Sequence, residues 1–175
     1  MATPEQVSEY IPKIRRIKAF RYLGDMELWA LLAIAEVIAY DQGAKIVTQG
    51  KICNHFYALI SGAVDVSVSE LQEGEIVISS LVEGDTFGEA AMFLKEERTA
   101  SVTATQDSVM MCIARKDLIN FFKSNSSAGV KILLVIVFSL LSKLSNANQE
   151  IAFEKQGDLD LDYVDNLVQD FMEAL

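Results

Sequence analysis

Residues 87–102 read FGEAAMFLKEERTASV, and this stretch decides how the rest of the chain is read. A glycine and two alanines surround one carboxylate, Glu89, and a single arginine, Arg98, follows nine positions later. Gly88, Ala90 and Ala91 carry little side chain, so backbone amides there can approach a ligand closely and form an anion-binding concavity. Arg98 offers a planar fork of donors suited to phosphate oxygens. Glu89 offers an acceptor pair suited to a sugar hydroxyl. Together these residues suit a ligand with one phosphate beside a ribose. A surface Glu–Arg salt bridge across a turn is the plainer reading.

Outward from this stretch the texture is that of short strands. Glycines fall at 43, 50, 62, 74, 84 and 88, and between them lie the β-rich runs 45–48, 55–60, 63–68 and 75–81. In 63–69 the valines at 64, 66 and 68 alternate with Ala63, Asp65, Ser67 and Ser69, a period of two that marks a half-buried strand. Short strands with a turn signal every ten or so residues predict a small sandwich or barrel. A further pair of strands is expected over 98–104 and 108–114.

Helical periodicity holds on both sides. Val7, Tyr10, Ile14 and Ile17 share one face. Leu28, Leu31, Leu32, Ala35 and Ile38 predict a second helix over 27–37, with Asp25 as its N-cap. After the strands, 117–123 reads as a short amphipathic helix and 124–129 as a polar turn. A long helix over 130–156 follows. Its Leu133, Val137, Leu140, Leu144, Ala147 and Ile151 form a seam of heptad period, which suits either a core helix or a contact with a second copy over 133–151. The last segment, 157–175, continues as an amphipathic helix with a strongly acidic outer face, able to fold back or to dock on a partner.

Composition narrows the function. The 175 residues carry a net charge of −10, which argues against nucleic acid and anionic membrane as partners. The longest apolar stretch, 130–141, is twelve residues, short of the ~20 that span a bilayer, so a soluble, cytoplasmic protein is expected. Cys53 and Cys112 have no metal-ligand spacing and read as buried thiols, and no metal site is expected. One histidine, His55, stands without an acidic or cysteine partner at catalytic spacing. No P-loop, dinucleotide glycine motif or nucleophile elbow is present, so the chain does not read as an enzyme.

The 87–102 stretch resembles the phosphate-binding cassette of the cyclic-nucleotide-binding family, which includes the bacterial catabolite activator protein and the regulatory subunits of cyclic-AMP-dependent kinase. The similarity extends over roughly 10–150. Asp41–Val47 with Gln49–Gly50 resembles the family's opening turns, Phe56–Val64 its strand–Ser-Gly–strand segment, and Leu140–Leu144 with Ala147–Asn148 its final helix. The resemblance implies an α+β fold: an antiparallel β-roll, or jelly-roll-like double-stranded β-helix, flanked by N-terminal helices and a long C-terminal helix. The implied organisation is N-terminal helices over 1–40, a β-roll over 41–115, C-terminal helices over 116–156 and the acidic tail helix over 157–175.

Roles implied by the resemblance follow position by position. Glu89 would accept from a ribose 2′-hydroxyl. Arg98 would pair with the cyclic phosphate, aided by the amides of Gly88, Ala90 and Ala91 and by the Thr99 hydroxyl. Asn146 and Asn148 would reach the base, with Leu144 as an apolar cover. The sequence departs from the family at Ala90, where a bulkier residue is usual, and in a loop without proline that puts Glu96 and Glu97 beside Arg98. The ligand is expected to be cyclic AMP, with cyclic GMP as second choice, and no other cofactor is implied. The leading expectation is a sensor that signals to a protein partner through its C-terminal helices or acidic tail. The catabolite activator class continues into a helix-turn-helix, whereas this sequence ends in the acidic tail, so DNA binding is not expected. The alternatives are a degenerate scaffold that binds no nucleotide, and a regulatory fragment of a larger enzyme or channel.

Overall fold

The computed structural model describes residues 10–70, 74–93 and 97–153. Residues 10–14 form helix α1, followed by a 3-10 turn at Lys18–Phe20 and helix α2 at Asp25–Leu32. Eight strands come next: β1 Glu36–Tyr40, β2 Lys45–Val47, β3 His55–Ser61, β4 Ala63–Glu70, β5 Gly74–Val82, β6 Thr86–Phe87, β7 Ser101–Ala104 and β8 Ser108–Ala114. A single turn of helix, α3 at Ala90–Phe93, interrupts them between β6 and β7. Helices α4 Arg115–Ser124 and α5 Ser126–Phe153 close the described chain.

All strand pairs are antiparallel, in two four-stranded sheets ordered β1-β8-β3-β6 and β2-β7-β4-β5. With the flanking helices this is the α+β, antiparallel β-roll that the resemblance implies. Strand periodicity divides the interior in two, because successive side chains point to opposite faces. From β3 and β8, Tyr57, Leu59, Met110 and Cys112 enter a core between the sheets with Val47, Val64, Leu81, Phe87 and Val102. Their neighbours Phe56, Ala58, Ile60, Met111 and Ile113 face a second core under the helices, which supply Ile14, Phe20, Leu31, Leu118 and Ile132.

The structure corrects four expectations. The helix predicted over 27–37 ends at Leu32, and Glu36–Tyr40 is an edge strand paired with β8 from Glu36↔Cys112 to Tyr40↔Ser108, so residues 1–40 are not all helical. Ala35 and Ile38 fit either period, and the open ladder of β8 decides for strand. Asp25 is the first residue of α2 rather than its cap, and the backbone N–H of the capping residue, Gly24, donates to Glu27 Oε2 at 2.9 Å. The polar turn expected over 124–129 shrinks to Asn125, since Ala128 and Gly129 are small enough to sit buried within α5 against α4. In β4 a register shift between Val66 and Ser67 breaks the alternation, burying Ser67, which donates to Glu75 at 2.6 Å.

Among the described side chains, those of α5 that enter the core lie in its first half. Ala128, Ile132, Val135 and Ile136 are buried, whereas Val137, Leu140 and Leu144 of the seam are exposed. The core-helix reading of the seam therefore fails at those three positions. Residues 126–145 are long and apolar enough, by length and composition, to cross a membrane, which the twelve-residue apolar run did not suggest. In this fold the segment is tied to the domain by its buried face and by Lys131, whose ammonium lies 2.9 Å from Glu27 of α2. Residues 157–175, where the acidic tail helix was expected, lie outside the described residues.

Candidate functional site

The site grows from the turn between β6 and α3. Gly88 has φ +84, a conformation in which glycine carries no side-chain penalty. A Cβ there would stand 2.7 Å from the His55 carbonyl and 3.0 Å from Arg98 Nη1, so only glycine lets the turn lie against β3 and the arginine together. Glu89 follows, and among the described residues it is the one charged side chain that is buried.

Arg98 is fixed from both ends. Its backbone N–H donates to Lys51 at 3.0 Å, and its carbonyl accepts from Gly50 at 2.8 Å, which pins it to the glycine turn after β2. Its Nη2 donates to the His55 carbonyl at 2.6 Å. Its Nε is buried without a hydrogen-bond partner, the single such side-chain atom among the described residues. A guanidinium held against a glycine turn with a donor to spare has the chemistry to take an anion.

Glu89 Oε1 accepts from the Lys143 ammonium at 3.0 Å and lies 3.4 Å from the Thr86 hydroxyl. Lys143 comes from the outward half of α5, so the long helix reaches back to the cassette. No motif in the sequence marks Lys143. Its spacing on the seam, one residue before Leu144, was the available signal.

Cys53 and Tyr57 also line this region, and the sequence reading missed their part in it. The Cys53 sulfur lies 3.4 Å from the Tyr57 hydroxyl and 3.7 Å from His55 Nδ1, and Tyr57 stacks on Phe87 with centroids 4.8 Å apart. Burial alone pushes the Cys53 thiol up, but hydrogen bonds from Tyr57, His55 and Arg98 outweigh it and bring the thiol down to about 7. Burial, with Cys53 nearby, pushes Cys112 the other way, up to about 11. Burial, reinforced by the bond to Cys53, likewise pushes the Tyr57 phenol upward. His55, read as a lone residue, contributes through its backbone carbonyl and its contact with Cys53.

The remaining expected site residues are spread around this centre. Ala90 and Thr99 are exposed, Ala91 lies in α3, and Glu97 is exposed. The side chains of Ala91, Asn146 and Asn148, and all of Glu96, lie outside the described residues. Among the described residues no three His, Cys, Asp or Glu side chains gather in a way that could hold a metal.

Comparison with known proteins identifies the fold and the family. The cyclic nucleotide-binding domain family matches residues 37–125. The chain is 29% identical over 104 residues to a cGMP-dependent protein kinase of Eimeria tenella, covering 59% of this chain and 10% of that protein. It is 33% identical over 73 residues to a cAMP-dependent protein kinase regulatory subunit of Blastocladiella emersonii, covering 42% and 18% respectively. The chain thus spans a fifth or less of the length of these relatives. The fold superposes on the crystal structure of a cyclic nucleotide-binding domain from Methylobacillus flagellatus with a TM-score of 0.77 at 20% identity, covering 88% of this chain and 89% of that one. The chain belongs to the cyclic nucleotide-binding domain family. Domains of this family bind cyclic AMP or cyclic GMP as ligand, and the fold is regulatory rather than catalytic.

Proposed function

We propose that this domain is a cyclic-nucleotide sensor whose ligand is cyclic AMP in preference to cyclic GMP. The observation that carries the reading is Arg98, with its buried, unpartnered Nε beside the Gly88–Glu89 turn. The phosphate of a cyclic nucleotide carries one negative charge, which one guanidinium neutralises. Arg98 would take that phosphate with the amides of Gly88, Ala90 and Ala91 and the exposed Thr99 hydroxyl, while Glu89 accepts from the ribose 2′-hydroxyl. Asn146 and Asn148 would read the base under the cover of Leu144. Relatives named for cGMP and for cAMP both support the ligand class rather than the base.

Binding would shift the balance between two positions of α5 relative to the β-roll, and a protein partner would read that balance. Exposed Val137, Leu140 and Leu144 support a contact there, with a second copy or with another protein. The chain would act in the cytoplasm.

Calorimetric titration with cyclic AMP and then cyclic GMP, on wild type and Arg98→Ala, tests the reading. Micromolar or tighter binding of cyclic AMP is expected, lost in the variant, since a charge-assisted bond of this kind contributes ~1.5–3 kcal/mol. Absence of binding by folded, nucleotide-free wild type would turn the interpretation to a scaffold.

A further inference from the structure

Lys143 and Glu89 stand 54 residues apart in sequence, yet their ion pair closes at 3.0 Å over the cassette. Among the described side chains, the last buried one on α5 is Ile136, and beyond it Leu140, Leu141 and Leu144 are exposed. The stretch of helix that carries Lys143 is therefore held to the domain by this polar contact rather than by buried apolar surface. The Lys143 side chain is 48% exposed, so it keeps part of its hydration while it serves a carboxylate that is 8% exposed.

We infer that Lys143 is a positioning residue of the nucleotide site: it holds the Glu89 carboxylate in place for the ribose and balances the charge of the occupied pocket. The inference rests on the nucleotide reading above. With nucleotide bound, the site holds two anions, Glu89 and the phosphate, against Arg98 alone unless Lys143 is counted. With Lys143 the charges cancel two against two, and two like charges no longer share a closed site with a single counterion. The arrangement leaves room for both partners of Glu89. A carboxylate offers about four acceptor positions, and the ammonium on Oε1 leaves others for the 2′-hydroxyl.

The experiment titrates cyclic AMP, cyclic GMP and their 2′-deoxy counterparts into wild type, Lys143→Met and Lys143→Arg, with Arg98→Ala as reference and thermal melts to confirm folding. Wild type is expected to prefer the ribonucleotide. Lys143→Met should bind it about tenfold more weakly, the loss of one charge-assisted bond, and the 2′-deoxy form should suffer less, so discrimination narrows. Lys143→Arg, which keeps the charge and a donor, should restore most of both. Unchanged affinity and discrimination in Lys143→Met would overturn the inference. Tighter binding would overturn it too, making Lys143 a competitor of the ribose. Those outcomes leave the nucleotide reading standing so long as wild type binds and Arg98→Ala does not. Failure of wild type to bind any of the four would sink both.

Discussion

Replacing Gly88 by alanine tests the turn without removing a functional group. The backbone there has φ +84, where an added Cβ costs ~1–2 kcal/mol. The new methyl would also stand 2.7 Å from the His55 carbonyl and 3.0 and 3.2 Å from the two terminal nitrogens of Arg98. The arginine can give way, but the carbonyl belongs to β3, which is buried on both faces. Crowding of this kind costs ~1–3 kcal/mol. The sum, about 2–5 kcal/mol, corresponds to a fall in Tm of roughly 4–20 °C for a chain of this size. Gly43→Ala is the control, because its φ is +85 and nothing lies within 4 Å of the added atom. It should cost only the backbone part, about 1–2 kcal/mol. Urea unfolding followed by circular dichroism reads both losses as shifts in midpoint at constant slope. Gly88→Ala should also weaken nucleotide binding, since relief of the clash displaces the guanidinium from His55. Equal destabilisation of the two variants would refute the close approach.

Cys53 should be the reactive thiol: its alkylation by iodoacetamide is expected to rise through a pH of about 7, while Cys112, pushed up to about 11, stays inert under the same conditions. Peptide mapping of the alkylated protein distinguishes the two, and Arg98→Ala should move the Cys53 profile to higher pH; an unmoved profile would count against the Arg98 contact. Glu27 is held below the ordinary carboxylate range: burial opposes this, but bonds from Lys131, the Gly24 N–H and Ser127 prevail. Because the folded value lies below the unfolded one, the stabilisation is fully present above 4.5 and is lost as the pH falls through the lower, folded value. Glu27→Gln should therefore cost about 1 kcal/mol at neutral pH and almost nothing in acid. A penalty of the same size in acid would assign it to the altered helix start instead.

The β-unit was legible because its signals are local. Ala63–Glu70 and Gly74–Val82 alternate or carry β-branched residues between glycines, and six of the eight strands fall where the sequence puts them. Two were missed. β1 was read as helix because Leu32, Ala35 and Ile38 suit that period, and only pairing with the distant β8 decides otherwise. β6 is two residues long, too short to show any period. At the site, Gly88, Glu89 and Arg98 could be picked out because one loop carries them all. Lys143, Cys53 and Tyr57 could not, since α5 and β3 meet the cassette only through the fold. The seam shows the limit of periodicity: its spacing revealed one apolar face but not whether Val137 and Leu140 would be covered.

Helix α5 is rooted in the core at Ile132 and Ile136 and, among the described residues, meets the cassette through the bond of Lys143 to Glu89. At 1.5 Å per residue the arm from Ile136 to Lys143 is about 10 Å long, so a tilt of about 15° at the root carries the tip roughly 3 Å. That travel matches the 3.0 Å length of the Lys143–Glu89 contact itself. The helix is geared: angular play small enough to leave its root seated suffices to make or break the contact at its tip. Whatever is attached to the outer half of α5 would then receive the state of the pocket as a displacement, with no part of the helix having to unwind.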